Sequence, residues 1–177
     1  MAKKPKNPLE RILIRKLEGE QPYFAKIVDS IVEMHENAIT RKQALAYLRR
    51  KAVQCTGLFL DNQLKAFVVL EIQKRTKRAL RTSAPQTGRL LYIAYVKAFE
   101  PKKGYGQLVL RHSVKFLIAD PGHKWKNAAE CDESVNLDSV YLFCTETLVK
   151  YYRRFGLTSM KRSGRQIRLA CTFGAFK

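Results

Sequence analysis

The sequence predicts one mixed α/β domain in which strands and helices alternate along most of the chain. Three observations support this. The 177 residues suffice for one hydrophobic core, and the 46% apolar content is that of a globular protein. Apolar residues also recur at strand spacing in some segments and at helical spacing in others. Residues 1–9 are basic and contain two prolines, so we expect a mobile arm before a single domain over residues 10–177.

The first half of the domain predicts a strand followed by two helices. Residues 10–17 are a short apolar run with charged ends, which is typical of a strand. Apolar side chains at three- and four-residue spacing indicate a helix over residues 21–35. Thr40 has the chemistry of a helix N-cap, and the helix that it begins ends in the cations 49–51. Cations at a helix C-terminus are favoured by the helix dipole, which gives this basic run a structural explanation too.

A hairpin and a basic insert come next. The turn residues 61–63 separate the apolar runs 53–60 and 64–73, which predicts two antiparallel strands. The insert 74–89 then carries six basic residues and no acid. It is either a nucleic-acid contact loop or a solvated connection, and the sequence favours neither reading.

The second half continues the alternation. Residues 90–96 are apolar without a break, which favours a strand buried on both faces. Aromatic residues at helical spacing precede Gly156, which is expected to end a late helix. The remaining predicted elements are a helix over 107–118, a strand over 139–144 and two short strands over 157–162 and 165–174.

Strand, glycine loop and helix follow one another around residues 97–106. Gly104 and Gly106 allow a tight turn and a close backbone approach, and the amides of a new helix attract an anion such as phosphate. Lys102 and Lys103 would add positive charge. The pattern is neither a Walker loop nor a dinucleotide fingerprint. Taken alone, it is equally explained by a turn that needs glycine for its dihedral angles.

The segment 96–108 resembles the acetyl-CoA pyrophosphate loop of the GNAT superfamily of N-acetyltransferases. Gly104 and Gly106 match that loop, whereas Pro101 stands where Arg or Gln is usual. The segment 145–157 is similar to the late helix of the same family. The residues that fit there are Tyr151, Tyr152, Gly156 and Leu157.

This resemblance implies a mostly antiparallel sheet of six to seven strands with about four helices, and acetyl transfer from acetyl-CoA to an amine. It places a cofactor cleft between the fourth and fifth strands. The backbone at Tyr95 and Val96 would polarise the thioester carbonyl, and Tyr152 would protonate the leaving thiolate or else only pack in the core. The remaining cofactor contacts implied are Lys102, Lys103, Gly104, Tyr105 and Gly106.

The proton acceptor for the amine stays open. No acid lies on the predicted fourth strand, where the family often carries a base. Glu71, Glu100, Glu146 and a chain of water molecules are the alternatives, and a carboxylate of this kind is more often a solvent-exposed charge than a base.

The charge of the chain is unusual. Thirty-four Lys and Arg against fifteen Asp and Glu give a net charge of +19. Such an excess favours a polyanionic partner, with nucleic acid ahead of an anionic membrane surface, an acidic protein or a merely solvated surface. The predicted nucleic-acid contacts are Arg49, Arg50, Lys51, Lys74, Arg75, Lys77, Arg78, Arg81, Arg153 and Arg154.

Three functions are compatible with these observations. The first is an enzyme that acetylates an amine carried on or bound to nucleic acid, such as aminoacyl-tRNA, a modified base or a basic ribosomal protein. The second is a non-catalytic nucleic-acid-binding or ribonucleoprotein module on the same fold, and the third is a small-molecule acetyltransferase. The oligomeric state stays open, with a homodimer among the possibilities.

The cysteines and the lack of a targeting signal indicate in which cellular compartment the protein is expected. The four cysteines have no zinc spacing, so we expect reduced thiols and no metal site; they are Cys55, Cys131, Cys144 and Cys171. No apolar run approaches the length of a membrane span, and the first residues do not resemble a secretory signal. The sequence therefore predicts a cytoplasmic or nucleic-acid-associated protein without a membrane partner.

Overall fold

Seven strands and four helices follow one another in the order that the sequence predicts. The computed structural model describes residues 12–17, 22–74, 89–119 and 137–177. In chain order the elements are β1 (Ile12–Leu17), α1 (Pro22–Met34), α2 (Arg41–Leu48), β2 (Val53–Leu60), β3 (Gln63–Lys74), β4 (Arg89–Ala98), α3 (Tyr105–Ala119), β5 (Leu137–Cys144), α4 (Glu146–Arg153), β6 (Ser159–Ser163), β7 (Gln166–Thr172) and a 3-10 turn (Phe173–Ala175).

Some predictions fall outside the described residues. They concern the basic arm over residues 1–9, Cys131 and four of the predicted nucleic-acid contacts: Arg75, Lys77, Arg78 and Arg81.

All seven strands form one sheet in the order β1-β2-β3-β4-β5-β7-β6. Every neighbouring pair is antiparallel except β4 and β5, which are parallel. The predicted fold class, a mostly antiparallel sheet of six to seven strands with about four helices, is therefore confirmed.

Local chemistry sets two of the boundaries. Asp61 and Asn62 have φ angles of 49° and 61°, which is the left-handed pair that a two-residue hairpin turn between β2 and β3 requires. Thr40 caps α2 with a capping box: its hydroxyl accepts from the amide of Gln43 at 3.2 Å, and the Gln43 side chain accepts from the amide of Thr40 at 2.7 Å.

The helices cover the two faces of the sheet. Residues of α1 and α2 pack with β2 and β3 in one buried cluster, around Ile27, Ile31 and Phe67. Residues of α3 pack on the opposite face in a second cluster around Leu110 and Val114, joined there by side chains of α4. Each face of the sheet is therefore hydrophobic, and none of the helices in the described segments has the length and apolarity needed to cross a membrane.

The predicted burial of the fourth strand on both faces is wrong. Only Leu91 and Ile93 are buried, and the remaining residues of β4 are half-exposed. Beyond Tyr92 the physical reason is that β4 loses its neighbour β5 on one side before it ends.

The cysteines of the described segments are free thiols. Cys55, Cys144 and Cys171 lie buried in strands and form no disulfide with one another. Burial raises the pKa of Cys144, and it raises that of Cys171 to about 11, so both behave as small hydrophobic residues and not as reactive thiolates.

Candidate functional site

The parallel strands β4 and β5 part in the middle of the sheet. Their pairing begins at Arg89 with Leu137 and stops at Tyr92 with Tyr141. Beyond that point β4 continues to Ala98 beside β3, and β5 continues to Cys144 beside β7, without pairing with each other. The edges that face the resulting gap therefore have backbone N–H and C=O groups without ladder partners, which a ligand can use.

A β-bulge lies on β4 at the start of the gap. Val69 pairs with Tyr95 and Leu70 pairs with Ile93, so Ala94 is the extra residue. Because of this insertion, Ala94 and Tyr95 both pack with the α1–α2 cluster, whereas Val96 packs with the α3 cluster. The bulge thus directs the Tyr95 side chain to one face of the gap and that of Val96 to the other.

The glycine loop closes one end of the gap. Gly104 has a φ of +76°, and a Cβ at this position would meet no atom within 4 Å. Its carbonyl accepts from the amide of Leu108 at 3.0 Å and so begins α3. Gly106 is buried against β4, where a Cβ would lie 3.6 Å from Cβ of Ala98. The first turn of a 15-residue helix therefore presents its free amides beside the gap.

Charged residues hold and flank this loop. Lys65 forms an ion pair with Glu100 and keeps the pKa of that carboxyl below its usual value, chiefly through their hydrogen bond. The Lys65 carbonyl also accepts from the amide of Phe99 at 2.9 Å. Lys102, with a φ of 64°, and Lys103 are exposed beside Gly104, so the loop is fixed at its base and positive at its tip.

Tyr152 lies on α4, on the same side of the sheet as α3. It packs with the α3 cluster near Cys144, and burial raises the pKa of its phenol to about 12. In the described part of the chain its hydroxyl forms no hydrogen bond. Tyr151, the residue before it, packs edge-on against Phe155, as expected for a packing role. Tyr152 is therefore a protonated donor at neutral pH with an uncommitted hydroxyl group.

Three aromatic rings line the gap on the face of the sheet that carries α1 and α2. They belong to Tyr92, Tyr141 and Phe143 and are called the aromatic floor below. The rings of Tyr92 and Tyr141 stack at a centroid distance of 5.0 Å where the β4–β5 pairing ends. Phe143 lies edge-on to both rings and is 39% exposed. Arg168 lies over the ring of Tyr141 at 4.6 Å. None of these residues is predicted from the sequence as part of the site, although the tyrosines within the apolar run 90–96 were a signal.

A buried carboxylate anchors this face. Glu71 is 4% exposed, pairs with Arg50 at 2.9 Å and accepts hydrogen bonds from Tyr47 and Gln73, each at 3.0 Å. Gln73 in turn accepts from the hydroxyl of Tyr141. Both carboxylate oxygens are thus occupied, and Glu71 ties α2 to the floor of the gap.

A histidine also lies on the face of the sheet that carries α1 and α2. His35, directly after α1, lies with its Nε2 atom 2.7 Å from the hydroxyl of Tyr95. The Tyr95 ring is also edge-on to that of Tyr47 at 6.0 Å. Burial raises the pKa of Tyr95, with further contributions from Tyr92 and Glu71.

The predicted nucleic-acid contacts that lie within the described segments fall in two separate places. Residues 49–51 follow α2, and Lys74 ends β3 at the same end of the sheet, where the amide of Ile72 donates to the carbonyl of Ala52 at 2.9 Å. Arg153 and Arg154 are exposed at the end of α4, which packs on the other face.

Comparison with known proteins identifies the fold. No family model matches the sequence, and no curated protein is significantly similar to it. Among solved structures, the chain is similar to Arabidopsis thaliana NAA60 in complex with acetyl-CoA (13% identity, 92% of this chain and 99% of that one, TM-score 0.60). It is also similar to AtaT complexed with acetyl-methionyl-tRNAfMet (11% identity, 92% and 95% covered, TM-score 0.60).

A third solved structure is an aminoglycoside acetyltransferase from an uncultured soil metagenomic sample in complex with sisomicin (10% identity, 89% and 95% covered, TM-score 0.60). Matches over nearly the whole of both chains at such low identity establish a shared fold. The fold that the resemblance of the sequence implies is thereby confirmed.

Proposed function

We propose that this protein is an acetyl-CoA-dependent N-acetyltransferase whose acceptor amine is carried on, or bound to, a nucleic acid. The observation that carries the proposal is the parting of β4 and β5 directly beside a glycine loop that opens α3. NAA60 was solved with acetyl-CoA and AtaT with acetyl-methionyl-tRNA on this fold. The net charge of +19 favours a polyanionic acceptor.

The loop fits the pyrophosphate of acetyl-CoA. The open space at Gly104 and the close packing of Gly106 on β4 allow an anion to approach the first amides of α3. Lys102 and Lys103 supply positive charge, which offsets the absence of an amide N–H at Pro101. Tyr105 is the first residue of the helix and contributes its amide. When bound, acetyl-CoA supplies the thioester whose acetyl group is transferred.

Residues on the two walls of the gap have separate roles in this proposal. Backbone N–H groups at Tyr95 and Val96, on the edge of β4 that has lost its neighbour, stabilise the carbonyl oxygen as negative charge develops on it. Tyr152 donates its proton to the departing sulfur. A phenol with a pKa of about 12 keeps that proton at neutral pH until the thiolate forms.

The acceptor approaches from the face of α1 and α2. The cofactor loop and Tyr152 belong to the α3–α4 face, so the aromatic floor of Tyr92, Tyr141 and Phe143 is left for the acceptor. The N-terminal end of β4 lies about 30 Å from the glycine loop at ~3.3 Å per residue. Residues 49–51 and Lys74 lie near that end, where they would bind phosphates of a nucleic acid without competing with the cofactor.

A transfer assay tests the proposal. The protein is incubated with radiolabelled acetyl-CoA and a mixture of in vitro charged aminoacyl-tRNAs, and label in acid-precipitable RNA is counted beside the release of free CoA. We expect both signals, with uncharged tRNA as the control that gives neither. Binding of tRNA and acetyl-CoA without transfer would favour the non-catalytic module, and transfer only to small amines would contradict the nucleic-acid acceptor.

A further inference from the structure

We propose that Tyr95 and His35 form a proton relay that carries a proton from the acceptor amine to solvent. The inference rests on the proposed function and names the base that this reaction needs. Its first support is the 2.7 Å contact between the Tyr95 hydroxyl and Nε2 of His35, which joins β4 to the end of α1 across 60 residues of sequence.

The bulge makes this contact possible. If β4 alternated strictly through Ala94, with no bulge, Tyr95 would point to the same face as Ile93, toward α3 and away from His35. With it, the phenol stands on the α1–α2 face, three residues past the last paired residue Tyr92. Two edge-on ring contacts hold it there, from Tyr47 at 6.0 Å and from His35 at 5.7 Å.

The turn after α1 fixes the backbone at His35. Glu36 and Asn37 have φ angles of 50° and 61°, the left-handed conformation in which many helices end. Hydrogen bonds from the amide of Asn37 to the Val32 carbonyl at 3.1 Å and from that of Ala38 to the His35 carbonyl at 2.8 Å fix the turn.

The carboxylates considered from the sequence are committed elsewhere. Glu71 has both oxygens engaged by Arg50, Tyr47 and Gln73. Glu100 is paired with Lys65, and Glu146 lies 3.3 Å from Arg162. Among these residues, none offers an unengaged carboxylate to the gap.

The proton transfers balance as follows. The amine nitrogen bonds to the thioester carbon, and the carbon–sulfur bond breaks as the carbonyl re-forms. The nitrogen gives its proton to the Tyr95 oxygen while the Tyr95 proton passes to Nε2 of His35. Tyr152 protonates the sulfur. The exposed His35 then releases a proton to water and Tyr152 regains one, so no net proton is consumed.

The relay predicts an acidic limb in the pH–rate profile, because a protonated imidazole has no free Nε2 to accept a proton. Besides Glu36, the next residue in sequence, the titratable and charged groups on the elements around His35 are Tyr23, Lys26, Asp29 and Glu33 of α1, Arg41, Lys42 and Tyr47 of α2, and Arg89, Tyr92, Tyr95 and Lys97 of β4. Arg41 pairs with Asp29. Glu33 and Lys97 pair with each other at 2.8 Å, which leaves Tyr95 as the direct partner of the imidazole.

Variants test the relay with the acetyl-CoA and aminoacyl-tRNA assay described above. We expect His35→Ala and Tyr95→Phe each to lower turnover by about 10²-fold, and the double variant to lose no more than either single one. In His35→Ala the acidic limb should vanish and added imidazole should restore transfer. His112→Ala, at an exposed histidine of α3, is the matched control and should behave as the wild type.

A second measurement is independent of turnover. A hydroxyl that donates to Nε2 favours the Nδ1–H tautomer, so the nitrogen chemical shifts of His35 should report that tautomer in the wild type and lose the preference in Tyr95→Phe. Wild-type transfer with an unchanged acidic limb in His35→Ala, or unchanged shifts in Tyr95→Phe, would overturn the relay. No transfer by the wild type, with the tautomer as expected, would instead count against the proposed reaction.

Discussion

Burial sets the acidity of the Tyr152 phenol, and the sequence around this residue does not reveal it. Burial and the nearby Tyr151 and Cys144 raise its phenol pKa to about 12, so the group keeps its proton in the resting enzyme and has one to donate when the thiolate departs. A donor of this kind stays neutral across the physiological range.

Replacing that hydroxyl gives the first prediction. Tyr152→Phe should lower acetyl-transfer turnover by about 10²-fold, because the ring still packs but no proton reaches the sulfur. The dissociation constant for acetyl-CoA, measured by calorimetry, should stay the same. Tyr151→Phe is the control on the same helix and should retain full turnover; equal activity of both variants would remove Tyr152 as the acid.

The open space at Gly104 supports a second prediction. Gly104→Asp places a negative side chain in the open space beside the first amides of α3, so acetyl-CoA binding should be lost by calorimetry. Gly164→Asp is a matched control, because Gly164 also has a positive φ (+58°) and open space but lies in the β6–β7 turn. Equal affinities in the two variants would refute the assignment of the loop to the diphosphate.

Among the elements, those fixed by local chemistry could be predicted and those fixed by distant contacts could not. The Asp61–Asn62 turn and the Thr40 cap depend on residues within three positions, and both are found as expected. The half-exposure of β4 depends on where β5 stops pairing with it, about 50 residues later. The hairpin therefore follows from the sequence pattern, whereas the gap follows from the way that the sheet assembles.

The residues of the candidate site also divide into those that could be predicted from the sequence and those that could not. The glycine loop and Tyr152 are visible as short motifs. The pairs His35–Tyr95 and Arg50–Glu71 join residues 60 and 21 positions apart, and no spacing rule connects them. Arg50 was interpreted from the sequence as a nucleic-acid contact, which stays a prediction, but its ion pair with Glu71 also gives it a structural role.

The close packing of Gly156, which follows α4, supports a prediction about stability. Gly156 has a φ of +86°, and a Cβ there would lie 2.2 Å from the carbonyl oxygen of Ala175. Gly156→Ala should therefore lower the free energy of unfolding by more than the ~1–2 kcal/mol expected for a left-handed residue alone. Gly164→Ala, with a positive φ but open space, measures that smaller cost in a urea titration; equal losses would contradict the packing of the C-terminal segment on α4.

At the scale of the whole molecule, buried tyrosines link stability to alkaline pH. Tyr141 and Tyr152 both have pKa values of about 12, above the value of 10 for an exposed phenol. The folded state holds these protons more tightly, so the stabilisation is complete below pH 10 and is lost as pH rises toward 12.

Urea titrations at pH 7, 9 and 11 test this linkage. The free energy of unfolding should fall between pH 9 and 11 by about 1 kcal/mol for each of these two phenols, because the phenol ionises near pH 10 in the unfolded chain and near pH 12 in the folded one. Tyr152→Phe should make that fall shallower, since one of the contributing phenols is gone. Identical pH dependence in the wild type and in Tyr152→Phe would show that the phenol titrates as freely in the folded state as in the unfolded chain.

The distribution of charge over the two faces leads to the last prediction. Residues 49–51 follow α2, on the face from which the acceptor is proposed to approach, whereas Arg153 and Arg154 lie at the end of α4 on the cofactor face. The double variants Arg49→Glu with Lys51→Glu, and Arg153→Glu with Arg154→Glu, change the net charge by the same amount. Arg50 is left in place because Glu71 needs its partner.

Binding of tRNA is then measured over a series of salt concentrations. The logarithm of the association constant should fall linearly with the logarithm of salt, and each lost phosphate contact should reduce the slope by about 0.7 to 0.9. We expect the pair at Arg49 and Lys51 to reduce both slope and affinity more than the pair at Arg153 and Arg154, because only the first lies on the path of the acceptor. Equal losses would mean that net charge alone attracts the nucleic acid, and a larger loss from the second pair would reverse the proposed direction of entry.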